Sequence, residues 1–116
     1  MDKKKKITII TVFKNAENTL ENCIKSVLSQ NYNNLEYIIV DGNSSDRTKE
    51  IINKYKNNIS RIIIEDDDGI WDAMNKGIKL ADGEIIGFLN SDDYYFNNTL
   101  EIVNNYFSKN NIDFLF

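Results

Sequence analysis

Hydrophobic residues in this chain fall in short β-branched runs, separated by stretches in which apolar positions recur with helical period. The runs are nearly continuous in apolar character, which is typical of strands covered on both faces of a sheet. We predict strands over residues 7–13, 35–40, 59–64 and 84–89. A last apolar run, residues 112–116, predicts the start of another strand.

The clearest helical segment follows the first strand. Its apolar residues share one face, at spacings of three, four, seven and eight from the first of them, and they are Leu20, Cys23, Ile24, Val27 and Leu28. The Cys23 thiol is therefore expected to pack in the core and not to act as a nucleophile.

Three further helices are predicted, over residues 46–55, 70–80 and 99–108. Ser45 or Asp46 would serve as the N-cap of the first of them. The side chains expected to face the sheet are Ile51, Ile52, Tyr55, Leu100, Val103, Tyr106 and Phe107. This alternation of strands and helices predicts right-handed crossovers and an α/β fold, a Rossmann-like parallel sheet with helices on both faces.

Composition limits the chemistry available to the chain. It has 116 residues, a formal net charge of −4, one cysteine and no histidine. These values fit one domain and exclude a disulfide framework, a Cys/His zinc site and a Ser-His-Asp triad within the chain. No basic stripe runs along a helix, so nucleic acid is not expected as the main partner. A reducing, cytoplasmic location fits this cysteine content best.

The first residues are basic and then apolar, an order that signal peptides also have. The apolar run is too short for one and lacks a small-residue cleavage site, so residues 3–6 are interpreted as a solvated lysine run before a strand. The alternative is weak attraction to an anionic membrane surface, that is, peripheral membrane association. No stretch is long enough to span a bilayer.

Polar clusters follow each of the four predicted strands, at residues 11–15, 41–46, 65–68 and 90–93. In an open α/β sheet the ligand crevice lies outside the carboxyl ends of the strands, so these clusters predict a binding site at one edge. Loops are commonly polar, but that alone does not readily explain so many acids at one edge. The adjacent carboxylates of Asp92 and Asp93 repel each other, which favours a bound cation there or a ligand that brings one.

Two common nucleotide-binding patterns are absent. A dinucleotide fold needs G-x-G-x-x-G after the first strand, where this chain has VFKNAE, and a P-loop needs Gly-Lys-Ser/Thr. Asp41 stands where a dinucleotide enzyme has its ribose-binding acid, but without the glycines this is a weak signal.

Several segments together resemble the nucleotide-sugar-binding half of the family-two glycosyltransferases. In chain order they are residues 11–15 (TVFKN), 26–30 (SVLSQ), 37–48 (YIIVDGNSSDRT), 68–77 (DGIWDAMNKG) and 88–93 (FLNSDD). The resemblance covers nearly the whole chain. It implies a GT-A fold, an activated donor such as a UDP-sugar, and a divalent metal, magnesium or manganese.

The resemblance also implies roles for particular residues. Asp41 resembles the acid that recognises the base of the donor nucleotide, and Thr11, Val12 and Phe13 resemble the loop that wraps this base. Asp68 resembles a further nucleotide contact. The alternative for residues 65–68 is a solvated acidic turn.

The acidic signature of the family corresponds to the end of the fourth predicted strand. Asp92 and Asp93 resemble its metal and ribose ligands, Asp92 contributing to both substrate and metal binding. Asn90 departs from the pattern, because many relatives have aspartate there, so the metal contact would rest on fewer charges.

In the family, the acceptor site and the carboxylate that deprotonates the acceptor lie downstream of this signature. We therefore assign no general base in this chain. We expect residues 1–116 to be the nucleotide-sugar-binding portion of a domain truncated at its C-terminus, with Phe114 and Phe116 exposed.

Two functional hypotheses follow. In the first, the parent protein is an inverting glycosyltransferase of surface polysaccharide or glycoconjugate synthesis, with a nucleotide-sugar donor and a glycan or lipid-linked acceptor, at the inner face of the membrane. In the second, the chain is a non-catalytic module that binds a nucleotide and a metal.

Overall fold

The computed structural model describes residues 4–110 as an α/β structure built on a four-stranded sheet. In chain order its elements are β1 (Ile7–Phe13), α1 (Leu20–Leu28), β2 (Leu35–Asp41), α2 (Thr48–Tyr55), a short 3-10 helix (Lys56–Asn58), β3 (Arg61–Ile64), α3 (Ile70–Leu80), β4 (Ile85–Phe88) and α4 (Thr99–Asn110). No helix in this part of the chain is long and apolar enough to cross a membrane.

All strand pairs in the sheet are parallel, and the spatial order is β3-β2-β1-β4. Ile7 pairs with Leu35, and the register continues until Phe13 pairs with Asp41. Asp41 in turn pairs with Ile64 on β3. The carboxyl ends of β1, β2 and β3 therefore lie side by side at one edge of the sheet.

Each face of the sheet is covered by its own hydrophobic cluster. On one face, side chains of β1 and β2 such as Ile9 and Ile39 pack against the buried residues of α1, α2 and α4. On the other face, Ile10, Ile38 and Val40 pack against Ala73 of α3. Because successive side chains of a strand point to opposite faces, continuous apolar strands fill both layers. The predicted Rossmann-like sheet with helices on both faces is confirmed.

Most predicted elements are observed, with differences at their ends. The bounds of β1 and α3 agree with the prediction, whereas α4 extends two residues further, to Asn110. The third strand begins at Arg61 and not at residue 59, because the 3-10 helix delays strand pairing. The predicted strand at residues 112–116 lies outside the described residues, as do Phe114 and Phe116.

Two predictions about individual side chains need correction. Tyr106 was expected to face the sheet but is 41% exposed, because the spacing of Leu100, Val103 and Phe107 defines a face from which position 106 is rotated away. The N-cap of α2 is Arg47, without a side-chain cap. The Asp46 carboxylate nevertheless accepts a hydrogen bond from the Thr48 amide at 2.9 Å.

A buried carboxylate lies at the amino edge of the sheet, opposite the predicted site. Glu36 is 6% exposed, and its Oε1 accepts hydrogen bonds from the Thr8 hydroxyl and the Asp82 amide, both at 2.8 Å. Burial alone would raise the pKa of Glu36, but these hydrogen bonds and the positive charges of Lys6 and Arg61 lower it overall. Glu36 thereby joins β1 and β2 to the loop before β4.

We expect Glu36→Gln to lower the free energy of unfolding by about 1 kcal/mol at neutral pH. Because the folded-state pKa of Glu36 is lowered, its stabilisation is present above the unfolded glutamate pKa of about 4.3 and is lost as the pH falls through the folded-state value. Denaturant unfolding across this range should therefore show the two proteins converging in acid. Glu50→Gln, at an exposed glutamate, is the control; a gap that stays constant with pH would contradict the prediction.

Candidate functional site

The loops after β1 and β2 are joined by hydrogen bonds through Ser44. Its hydroxyl donates to Asp41 Oδ1 at 2.6 Å and accepts from the Asn15 amide at 2.8 Å. The Asn15 side chain in turn accepts from the Ser45 amide at 2.8 Å. The two loops thus form one unit at the carboxyl edge of the sheet.

Two asparagines give these loops their shape. Asn15 and Asn43 have φ values of +55° and +68°, in the left-handed region that asparagine tolerates better than most other residues with side chains. Each reverses the main chain directly beyond a strand. Both loops thus contain a left-handed residue two positions after the strand end, Asn15 after Phe13 and Asn43 after Asp41.

Asp41 occupies the centre of this unit and is fully buried. Its Oδ1 accepts from both the amide and the hydroxyl of Ser44. Its Oδ2 is the one buried side-chain oxygen or nitrogen among the described residues that has no hydrogen-bond partner. Burying an acceptor without a partner costs about 1–3 kcal/mol, so this oxygen is suited to an N–H or O–H group supplied by a ligand.

The loop after β3 approaches the same position through Asp67. A Cβ atom built on Gly42 would lie 2.7 Å from Asp67 Oδ2, so only glycine at residue 42 allows this carboxylate to lie so close to the β2 end. Asp67 Oδ1 also accepts from the Gly69 amide at 3.2 Å. The acidic loop is therefore packed onto the main chain next to Asp41.

Lys76 of α3 balances the negative charge of this loop. Its ammonium group lies 3.1 Å from Glu65 and 3.5 Å from Asp72, and it donates to the Asp66 carbonyl at 2.8 Å. The Asp72 carboxylate accepts from the Asp68 amide at 2.9 Å. This hydrogen bond first, and the charge of Lys76 second, lower the pKa of Asp72.

A cleft of about 290 Å³ opens between the end of β1 and the start of α3. Its walls are Val12, Phe13, Lys14, Asp67, Gly69, Ile70 and Ala73. Its lining is mostly apolar, and one cation, Lys14, and one carboxylate, Asp67, border it. Its position and lining suit part of a small organic ligand.

Residues 90–93, which we name the acidic turn, follow β4. The Asp93 amide donates to the Asn90 carbonyl at 3.0 Å, which closes the turn. Asp92 and Asp93 are both exposed. Because β4 pairs with β1, the acidic turn lies at the same edge of the sheet as the loop after β1.

The described residues contain no group of three or more His, Cys, Asp and Glu side chains that could hold a metal ion. Asp92 and Asp93 offer two carboxylates, which are hard oxygen ligands. Such a set suits a magnesium or manganese ion that takes its other ligands from water and from ligand phosphates. The residues present therefore fit a metal that arrives with a ligand, not a preformed protein cage.

The site residues predicted from the sequence differ in their exposure at this edge. Val12 and Phe13 line the cleft, and Asp68, between the lining residues Asp67 and Gly69, is exposed. Thr11 is fully buried, and its hydroxyl lies 2.9 Å from that of Tyr37. Ser44 and Asp67 lie within the predicted polar clusters but received no role from the sequence, although a serine three residues after an aspartate is a recognised hydrogen-bonding pattern that could have indicated Ser44.

Comparison with known proteins identifies the family. Residues 8–116 match the family profile described as glycosyl transferase family 2. The chain belongs to this family. The resemblance noted in the sequence is thus confirmed.

Two curated glycosyltransferases illustrate this similarity. The Escherichia coli UDP-Glc:alpha-D-GlcNAc-diphosphoundecaprenol beta-1,3-glucosyltransferase WfgD is 37% identical over 111 residues, which are 95% of this chain and 44% of that protein. The putative teichuronic acid biosynthesis glycosyltransferase TuaG of Bacillus subtilis is 36% identical over 98 residues, 82% of this chain and 39% of TuaG. This chain spans less than half the length of either glycosyltransferase.

Solved glycosyltransferase structures share its fold. Residues 1–349 of Staphylococcus aureus TarS superpose with a TM-score of 0.83 and 26% identity, over 91% of this chain and 33% of that one. A TarS structure in complex with UDP-GlcNAc gives a TM-score of 0.82 at the same identity, over 91% of this chain and 32% of that one. The fold of this glycosyltransferase chain is therefore the GT-A type, covering part of the longer structures.

We expect Asp41→Asn to raise the free energy of unfolding of this glycosyltransferase chain by about 1 kcal/mol, because it removes a buried charge while Oδ1 still accepts from Ser44. Denaturant unfolding would measure the change, with Asp82→Asn at the opposite edge as the matched control. A loss of stability of similar size would show that the fold itself requires the Asp41 charge.

Proposed function

We propose that this chain is the donor-binding portion of a glycosyltransferase that transfers a sugar from a nucleoside-diphosphate donor to an acceptor hydroxyl. The observation on which the proposal rests most is the buried, unpartnered Oδ2 of Asp41 at the carboxyl edge of the sheet. An oxygen that the protein buries and leaves without a donor is suited to a ligand N–H. Residues 1–116 would then be the nucleotide-sugar-binding portion of a longer catalytic domain.

In this proposal Asp41 Oδ2 accepts a hydrogen bond from an imino N–H of the donor base. Val12 and Phe13 pack against the base from the cleft, which stabilises an aromatic ring by removing apolar surface from water. Thr11 supports these two residues from within β1, since it is fully buried and its hydroxyl is hydrogen-bonded to that of Tyr37. Asp68 contacts the nucleotide with its exposed carboxylate.

Asp92 and Asp93 of the acidic turn are proposed to hold a divalent metal, magnesium or manganese, and Asp92 also to contact the ribose. When bound, this ion would balance the charge that develops on the nucleoside diphosphate as it leaves. The protein contributes the two carboxylates and their fixed position at the end of β4. The exposed pair lacks a third acid, which fits an ion shared with the diphosphate.

The donor and the acceptor belong to the same proposal. We infer a UDP-sugar donor, because the named substrate of WfgD is UDP-Glc and TarS has been solved with UDP-GlcNAc. A lipid-linked or glycan acceptor, inversion at the sugar, cytoplasmic location and peripheral attachment to the membrane are inferred for the whole protein. The general base that activates the acceptor is proposed to lie outside residues 1–116.

The donor site is tested by calorimetric titration with UDP and with GDP, each with and without Mn²⁺. We expect the chain to bind UDP more tightly with Mn²⁺, and Asp93→Asn to lose the metal-dependent part, roughly tenfold or more in affinity. Asp41→Asn should weaken binding whether or not metal is present, because it alters the base contact.

Asp82→Asn, at the amino edge of the sheet, is the matched control and should bind as wild type does. Each sample is first shown to unfold cooperatively. A folded wild-type chain that binds neither nucleotide, or an Asp93→Asn variant with unchanged metal dependence, would contradict the assignment.

The second candidate is a module that binds nucleotide and metal without catalysis. It is favoured for the isolated chain because the matched region is less than half of WfgD and TuaG. Incubation with UDP-glucose and Mn²⁺ separates the two hypotheses. Slow release of glucose, or its transfer to an added acceptor, would indicate a catalytic chain, whereas binding without turnover would support the module.

A further inference from the structure

Three polar side chains along one edge of α1 bind the main chain of a distant segment. Cys23, Ser26 and Gln30 are spaced by three and four residues, so they follow one another along the same side of the helix and its C-terminal extension. Each of the three has at least one partner among residues 90–100, which run from the acidic turn into α4. Residues 26–30 form one of the segments that resemble the family, and the resemblance implies no role for them.

The contacts occur at three successive points of that segment. The Cys23 thiol donates to the Asn90 carbonyl at 3.5 Å. The Ser26 hydroxyl accepts from the Tyr95 amide at 3.0 Å and donates to the Cys23 carbonyl at 2.7 Å.

Gln30 binds the C-terminal part of residues 90–100 with both the nitrogen and the oxygen of its side-chain amide. Its Nε2 donates to the Phe96 carbonyl at 2.8 Å, and its Oε1 accepts from the Leu100 amide at 3.1 Å. Gln30 is 7% exposed, so water cannot readily replace these two hydrogen bonds. The contact fixes the start of α4 relative to α1.

Side-chain packing supports the same attachment. Tyr95 is partly buried against the core cluster that contains α1, and burial raises the pKa of its hydroxyl to about 12. Its neighbours Tyr94 and Phe96 are exposed. One aromatic side chain thus inserts beside the helix, while the residues on either side point to solvent.

The acidic turn receives this support directly. The Asn90 carbonyl accepts both the Cys23 thiol and the Asp93 amide that closes the turn. Adjacent exposed carboxylates repel each other and would spread apart on a free loop. A turn already fixed on a helix loses less conformational entropy when a metal and a diphosphate bind.

We propose that Ser26 and Gln30, together with Cys23, are positioning residues that hold the acidic turn in a ligand-ready conformation. None of them is expected to touch the donor. The inference rests on the proposed function, because it assumes that the acidic turn binds the metal and diphosphate. It goes further by assigning the 26–30 motif to the preorganisation of that turn.

Amide hydrogen exchange tests the structural part in the full chain without any ligand. The informative probe is the Asp93 amide, which neither Ser26 nor Gln30 touches. We expect the double variant Ser26→Ala/Gln30→Met to speed exchange at Asp93 by about tenfold. The Gly42 amide, which donates to Phe13 at 2.9 Å in the other half of the site, should exchange as in wild type.

Two further variants separate positioning from general loss of stability. Ser29→Ala changes the exposed C-cap residue of the same helix and should leave Asp93 exchange unchanged. The single variant Ser26→Thr keeps the hydroxyl, so its Asp93 amide should exchange as slowly as that of the wild type. Unchanged Asp93 exchange in the double variant, or equal acceleration at Gly42, would overturn the proposal.

The functional part is tested by titrating the same proteins with UDP, with and without Mn²⁺. With Mn²⁺ present, we expect the double variant to bind UDP about tenfold more weakly than the wild type does, while UDP binding without metal is unchanged. Faster Asp93 exchange with full metal-dependent affinity would overturn the ligand role. If the wild type binds no nucleotide, the proposed function fails, and the exchange experiment alone still decides whether α1 holds the turn.

Discussion

The pairing of β1 with β2 on one side and β4 on the other determines most of this structure. Because the three strands are parallel, the loops that follow them emerge at one edge, and the register that aligns Phe13 with Asp41 sets how these loops meet. Both faces of β1 and β2 are buried, so a shift of one residue would exchange the side chains of the two hydrophobic layers. The position of Asp41 is therefore determined by the packing of the whole core and not only by its own contacts.

This packing explains how the fold tolerates the buried, unpartnered Oδ2 of Asp41. A buried oxygen without a partner lowers stability, yet Asp41 lies at the end of a strand whose neighbours are apolar and tightly packed. Ser44 satisfies the other oxygen and ties the loop after β2 to the loop after β1. The local loss of stability is thus offset by packing elsewhere, and one acceptor at the carboxyl edge stays without a partner.

Much of the fold could be predicted from the sequence, because its patterns are local. The β-branched run of β1 and the amphipathic period of α3 define those elements to the residue. The predicted start of β3 was wrong because the preceding asparagine-rich residues form a 3-10 helix, which no apolar pattern indicates. The prediction that Tyr106 faces the sheet was wrong. In sequence, an apolar residue beside the buried face of α4 cannot be distinguished from one on that face.

The site was predictable in outline and not in its contacts. The carboxyl-edge rule and the family resemblance pointed to Asp41, Asp92 and Asp93, but the roles given to them stay predictions. The contact of Asp67 with Gly42 and the attachment of residues 90–100 to α1 join positions far apart in sequence. Such contacts depend on how the loops pack, so a single sequence contains no local signal for them.

The left-handed asparagines at residues 15 and 43 have a further consequence for this edge. Glycine is the usual residue for such turns, but it enlarges the number of conformations open to the unfolded chain and loosens the loop around it. Asparagine makes the same reversal with a narrower range of main-chain angles. The loops at the carboxyl edge therefore lose less conformational entropy on folding than glycine-containing loops of the same shape would.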